Sequence, residues 1–167
     1  MNRYPETIAA PPLQLGEIIT ARVHRAIPMG GWAEPEILGT GDLVVNTGRI
    51  YLAQRIGADV NSPMAHLAVG TNNAGPALAN TLVTGEVSRK PLAVNSALVN
   101  NIYTAVATWG GSADSVTSLN LQEGGLFNHA SSGEGTMFQR VIYSPVILAN
   151  SDLLSLTLET NVGSNTI

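Results

Sequence analysis

The stretch VNNIYTAVATWGGSADSVTSLNLQEGGLFNHASSGEGTMFQRVIY, Val99 to Tyr143, carries three runs of alternating apolar and polar residues separated by two breaks rich in glycine and serine. Such alternation marks strands and such breaks mark their connections, so the stretch reads as a β-meander at the centre of a sheet. From Asn101 to Trp109, Ile102, Thr104, Val106 and Thr108 fall on one face, and Tyr103, Ala105, Ala107 and Trp109 on the other, because side chains alternate along a strand. Leu119, Leu121 and, beyond a bulge expected at Gly124-Gly125, Leu126 or Phe127 supply the next strand. Phe127 to Ala130, the loop Ser131 to Thr136, and Met137 to Tyr143 form a hairpin.

Outward from there, Asp152 to Thr160 (DLLSLTLET) is a half-buried strand with Leu154, Leu156 and Leu158 on one face. Glu17 to Ile27 reads as the first strand and Met64 to Val69 as another. Glu86 to Val94 is a further strand, which Pro91 either ends or confines to a sheet edge for want of an N–H. Thr47 to Ile56 reads as a short helix, with Asn46 or Thr47 as N-cap, Gly57 as stop, and Ile50, Leu52 or Ala53, and Ile56 on its apolar side. Pro28 to Gly41 and Gly70 to Asn80 are long loops, and Asn80-Thr81 is placed to cap a single helical turn. The count, about eight strands and one short helix, predicts an all-β fold: an antiparallel two-sheet β-sandwich over residues 17–160. Residues 1–16, with Pro5, Pro11 and Pro12, read as an extended N-terminal arm or a frayed end. Residues 161–167 are a polar tail.

At 167 residues the length suits one domain with a full core. Charged residues make up 12% of the chain, about half the usual share of about 25%. A surface of small neutral polar groups is cheap to desolvate, so an extensive subunit interface is expected. The formal charge is −4 and Lys and Arg form no cluster; nucleic-acid binding, which needs clustered cations, is not expected. There is no cysteine, hence no disulfide and no thiolate ligand or nucleophile. No run approaches the ~20 apolar residues of a membrane span, and MNRYPETIAAPP lacks the basic-then-apolar order of a signal peptide. The expectation is synthesis in the cytoplasm and no membrane partner.

Catalytic and metal patterns are absent from the sequence. His24, His66 and His129 lie far apart, without the short spacings that preorganise zinc ligands. Gly110-Gly111-Ser112-Ala113-Asp114 falls short of a nucleophile elbow at its last position. The glycines of residues 70–75 and 133–135 lack the Lys-Ser/Thr ending of a phosphate loop. Asp42, Asp59, Asp114 and Asp152 are each solitary, unlike a calcium loop, and Glu34 and Glu36 define no paired-carboxylate geometry. No enzymatic activity and no cofactor is expected. Glu86, Arg89, Glu123 and Arg140 fall in or beside apolar strands; either they pair, since an unpaired buried charge is costly, or they are solvated on strand faces.

These charges belong to an ordered set of short motifs: HLAVGT from His66, GEVSR from Gly85, EGGLF from Glu123, MFQR from Met137 and DLLSLT from Asp152. In order and spacing, over roughly residues 50–158, the set resembles a family of small structural proteins of tailed bacteriophages, found as head decoration (cement) proteins and as tail or fibre components. The resemblance implies a jelly-roll-like sandwich and a homo-oligomer, a trimer if it serves three-fold capsid sites, on the outer surface of the virion head with the major capsid protein as partner. A tail, fibre or baseplate module with receptor- or carbohydrate-binding loops is the alternative. The contacts are expected from the arm (Arg3, Tyr4, Pro5, Pro11, Pro12, Leu13) and from Trp32, as interface anchor or folded onto the core. Asn72, Asn73 and Glu134 in the glycine-rich loops are expected next.

Overall fold

The computed structural model describes residues 15–26, 31–38, 41–57, 62–99 and 102–162. It is mostly β, with antiparallel sheets and one helix among the described residues. In chain order the elements are β1 (Leu15–His24), β2 (Glu36–Ile37), β3 (Gly41–Val44), α1 (Asn46–Ile56), β4 (His66–Gly70), β5 (Glu86–Pro91) and β6 (Val94–Val99). They are followed by β7 (Ile102–Gly110), β8 (Asn120–Phe127), β9 (Met137–Ile147) and β10 (Leu153–Val162). One sheet has the order β2-β1-β10-β7-β6 and the other β3-β9-β8-β4-β5. Most of the expected arm lies outside the described residues, but Leu15 and Gly16 already pair with Val162 and Asn161. The strand therefore begins inside the expected arm and ends inside the expected tail.

The meander reading fails at its first connection. β7 pairs with β10 and β6 in one sheet, whereas β8 and β9 form a hairpin in the other. The residues between them carry the chain from sheet to sheet. Ser115 and Ser118 adopt positive φ, and Val116 and Leu119 pack with the core, so the segment is a tight crossing and not a hairpin turn. A second crossing splits the expected strand Glu86 to Val94. β5 ends at Pro91 on an edge, and after Leu92 and Ala93, whose N–H groups donate to Ala65 and Val106, the chain enters β6 in the opposite sheet.

Both sheets feed one apolar cluster. Ala105, Ala107 and Trp109 of β7 and Leu154, Leu156 and Leu158 of β10 meet Leu67, Val69, Leu121, Leu126, Val141 and Tyr143 from the other sheet. The three β10 leucines are fully buried, and each such side chain contributes about 1.5–3 kcal/mol. Trp109 donates its indole N–H to Ser88 Oγ of β5, 3.1 Å away, and Thr160 bonds Gln139 across the same gap at 3.1 Å. A core lined by two sheets can carry these polar groups only because each finds a partner.

β8 is buried from Leu121 to Phe127, on both faces. Leu126 joins the main cluster, while Phe127 joins a second one with Val45, Ala68, Val83 and Met137. The expected bulge at Gly124-Gly125 is absent; register shifts instead fall between Leu121 and Glu123 and between Leu126 and Phe127. The glycines answer to space. A Cβ on Gly124 would lie 2.6 Å from Leu156, and one on Gly125 2.8 Å from Val83. In α1 the N-cap position is Val45, whose side chain has no polar atom to cap with, in place of the expected Asn46 or Thr47, and the Thr47 hydroxyl donates to Met137 O at 2.7 Å. The buried helix residues are Gly48 and Tyr51, and Ile50 and Ile56 are exposed. Gly48 is held so close to the Phe138 carbonyl that a Cβ would overlap it, so α1 docks on β9 by its backbone there and by the Tyr51 ring against Phe138; of the expected apolar side Leu52 packs on the core, while Ile50, Ala53 and Ile56 are exposed.

Candidate functional site

The four charges singled out in the sequence come together in the second sheet. Arg89 of β5 is level with Ala68, Ala68 with Gly125, and Gly125 with Arg140 of β9. One row thus crosses four strands with an arginine at each end and two small residues between. The neighbouring row runs Glu86, Gly70, Glu123. Val69 pairs with Ser88 and Gly70 with Glu86, so Val87 is left over as a bulge. That extra residue turns Glu86 and Arg89 to the same side of a strand where three-residue spacing would otherwise oppose them.

Glu123 and Arg140 are essentially inaccessible to solvent. Glu123 Oε2 accepts from Arg140 Nη2 at 2.8 Å and Nε at 3.2 Å, while Oε1 accepts the backbone N–H of Gly85 at 2.7 Å and of Asn72 at 3.1 Å. Arg140 Nη1 reaches the carbonyls of Ala74 and Gly75 at 2.8 and 3.2 Å and Asn80 Oδ1 at 3.3 Å. The pair is satisfied on every side. It also fastens the connection between β4 and β5 at both ends and in the middle. Gln122 adds a bond to Thr71 O, and Val83 plugs the second apolar cluster beneath. The Tyr143 hydroxyl donates to Glu123 O; burial, with the nearby Glu123 charge, raises its pKa far above the ordinary tyrosine value. It stays a neutral donor.

Arg89 fastens the second loop. Its Nε and Nη2 bind Glu86 Oε1 and Oε2 at 2.8 and 2.7 Å, and its Nη1 donates to His129 O and Glu134 O, each at 3.0 Å. Its guanidinium lies 3.7 Å over the Phe127 ring, the stacked geometry in which arginine outperforms lysine. The loop from Asn128 to Thr136 closes on itself through Asn128 Oδ1, which accepts Thr136 N–H at 2.6 Å, and needs the positive φ of Gly133 and Gly135. Glu134 Oε2 comes 3.4 Å from His129 Nδ1. The Ser131 N–H lies 3.1 Å from the same nitrogen, so the imidazole stands between the two ends of the loop's tip.

Two further clamps lie on the first sheet's side. Asp152 binds Arg25 at 2.7 Å and the N–H groups of Ala26 and Ala149. Burial alone would raise its pKa, but the Ala149 N–H, Arg25 and the Ala26 N–H hold it below the ordinary carboxylate value. Asp114 binds Lys90 at 2.9 Å and accepts Gly110 N–H. Both acids expected to be solitary are thus structural, and among the described residues no group of three or more His, Asp or Glu could hold a metal.

Of the expected contact residues, Asn73 and Glu134 are exposed and Asn72 is half-buried. The Asn72 side chain accepts the Ala74 N–H at 2.7 Å, a local turn that shapes the loop. Trp32 is 50% exposed and joins the first sheet's edge by a bridge to Ala26; it is not folded into the core. Arg3, Tyr4, Pro5, Pro11, Pro12 and Leu13 lie outside the described residues. The sequence reading missed Gly70, Gly85 and Asn80. A Cβ on Gly70 would lie 2.6 Å from Gly85 O and 2.7 Å from Glu123 Oε1. The signal was present as glycines flanking the acidic motifs, but only the strand pairing shows what they make room for.

No family model, curated protein or solved structure matches this chain. Among the described residues no helix is long and apolar enough to cross a membrane.

Proposed function

We propose that the protein is a bacteriophage capsid decoration protein, a non-catalytic homo-oligomer that binds the outer surface of the assembled head and clamps neighbouring copies of the major capsid protein. One observation carries this reading. Four of the five motif segments that resemble the phage structural family lie in one sheet, on β4, β5, β8 and β9, where their charged residues pin two loops into fixed shapes, while the fifth, from Asp152, lies on β10 of the other sheet. The connection from Thr71 to Gly85 is of a length, above about 12–15 residues, that in compact domains is usually functional or disordered; here it is ordered by a buried ion pair. Fixed loops lose little conformational entropy on docking, which favours binding to a repeating lattice.

In this reading the two sheets facing one core form a jelly-roll-like sandwich, and three copies occupy a three-fold capsid position. The scarcity of charge suits subunit contact. Stabilisation works by mass action, since a ligand that binds only the assembled lattice lowers its free energy by RT ln(1 + [L]/Kd), and linked copies add avidity. The arm, Arg3 to Leu13, and the loops bearing Asn72, Asn73, Trp32 and Glu134 make the contacts.

The test is co-sedimentation of the protein with undecorated heads and, separately, with isolated tails, comparing the full chain with one lacking residues 1–12. Saturable head binding weakened by the deletion supports the proposal. Binding to tails alone replaces it with a tail, fibre or baseplate role.

A further inference from the structure

A shallow depression of about 280 Å³ opens on the outer side of the first sheet, lined by His24, Trp32, Thr108, Leu153 and Ser155. Its floor is set by strand register. His24 pairs with Leu153, and Ser155 with Thr108, so side chains from β1, β10 and β7 lie side by side. Trp32, half exposed, stands at the wall through its bridge to Ala26. Thr108 belongs to the face of β7 opposite Ala107 and Trp109, which are buried in the core.

Within the described residues the hydroxyls of Thr108 and Ser155, the His24 imidazole and the Trp32 indole N–H make no side-chain hydrogen bond. Among the described residues the acidic side chains Asp152, Asp114, Glu86 and Glu123 are each paired with a cation. Four unspent polar groups around an exposed indole therefore form an incomplete set. Binding sites combine an apolar surface with a few convergent polar groups in this way, and their volumes start near 300 Å³. A depression of this size takes one ring, not an extended chain.

We infer that this depression is a binding site for a single neutral pyranose ring of a surface glycan. The indole face receives the ring's C–H groups, as aromatic rings bury large apolar area at little entropic cost. Hydroxyls and an imidazole both donate and accept, which matches adjacent sugar hydroxyls that do the same. No Lys, Arg, Asp or Glu is among the described lining residues; the adjacent charge on this face is the exposed Arg22, level with Ser155, which is why charged probes are compared with neutral ones. The inference does not rest on head binding, although that reading also uses Trp32 as a contact: the depression belongs to the first sheet, whereas the pinned loops belong to the second.

Trp109 is fully buried, so Trp32 dominates the ligand-sensitive fluorescence of the full-length protein. Methyl α-D-glucopyranoside, methyl α-D-mannopyranoside and methyl β-D-galactopyranoside are titrated at millimolar concentration, with glucuronate and glucose 6-phosphate as charged probes. Saturation-transfer NMR on the same samples reports ring protons held against the protein. The expected result is a saturable Trp32 response to at least one neutral glycoside, with saturation transfer abolished in Trp32→Ala. Thr108→Ala and Ser155→Ala, which remove outward hydroxyls without touching the core, each weaken binding about three- to tenfold. Leu78→Ala, on a remote loop, leaves it unchanged. The inference is overturned if no neutral glycoside binds, if the charged probes bind in preference, or if Thr108→Ala and Ser155→Ala bind like the unaltered chain.

Discussion

Replacing Arg140 by alanine removes one half of a fully buried ion pair and strands the other. Glu123 keeps its two backbone donors but loses both arginine bonds, and Ala74, Gly75 and Asn80 lose their shared partner. Breaking a buried pair from one side costs about 3–5 kcal/mol, because a charge stays behind without compensation. For a domain of this size each kcal/mol moves the melting temperature by about 2–4 °C, so the midpoint should fall by about 6–20 °C. Arg22→Ala serves as control. Arg22 is exposed, and such a change stays within about 0.5 kcal/mol. Differential scanning calorimetry gives the midpoints, and amide exchange adds the local readout, with the Asn72 and Gly85 N–H groups losing protection first. Adding Glu123→Leu to Arg140→Met should cost less than the two single changes together, with a coupling of about 1–3 kcal/mol. Equal and small shifts for Arg140→Ala and Arg22→Ala would refute the reasoning, for they would mean that the pair holds nothing in place.

Gly70→Ala should destabilise by about 1–3 kcal/mol in urea titration, since its Cβ meets the Gly85 carbonyl; Gly75→Ala, whose Cβ meets nothing within 4 Å, should be neutral or slightly stabilising. Ser88→Ala should cost about 1–3 kcal/mol by leaving the buried Trp109 N–H without an acceptor, and Ser88→Thr should restore part of the loss. The His66 pKa is lowered by burial and by the charges of Arg89 and His129. The unfolded chain then binds the proton more tightly than the folded one, so this contribution to stability is full above the unfolded pKa of about 6.5 and is lost as pH falls below it. Melting temperature should drop on acidification through that window, and less steeply in His66→Gln. The Asp152 pKa is likewise lowered, so its contribution is present above about pH 4 and lost below; Asp152→Asn should flatten that second, more acidic descent.

Local pattern carried the sequence reading a long way. The β10 leucines, the hairpin from Phe127 to Met137 and the edge position of Pro91 follow from two-residue periodicity and from proline's missing N–H. What local pattern does not encode is the partner of each strand. The connections after Gly110 and after Pro91 look like ordinary turns in sequence, yet each passes the chain to the opposite sheet, and only non-local packing distinguishes the two outcomes. The helix shows the same limit: Ile50 and Ile56 have apolar spacing, but the close approach of Gly48 to the Phe138 backbone decides which side faces in. At the site, the four charges were visible because charge in an apolar strand demands a partner. Their pairing into Glu86–Arg89 and Glu123–Arg140 depends on the Val87 bulge and on strand order. The depression beside Trp32 was illegible, since its lining comes from four separate segments of chain.

The most direct measurement of the proposed clamping mechanism is thermal release of DNA from undecorated phage heads, recorded at increasing concentrations of the added chain. The account predicts that the release temperature rises with concentration and continues to rise with its logarithm once the sites are saturated, as mass action requires of a ligand that binds only the intact lattice. A release temperature unchanged by bound protein would contradict it.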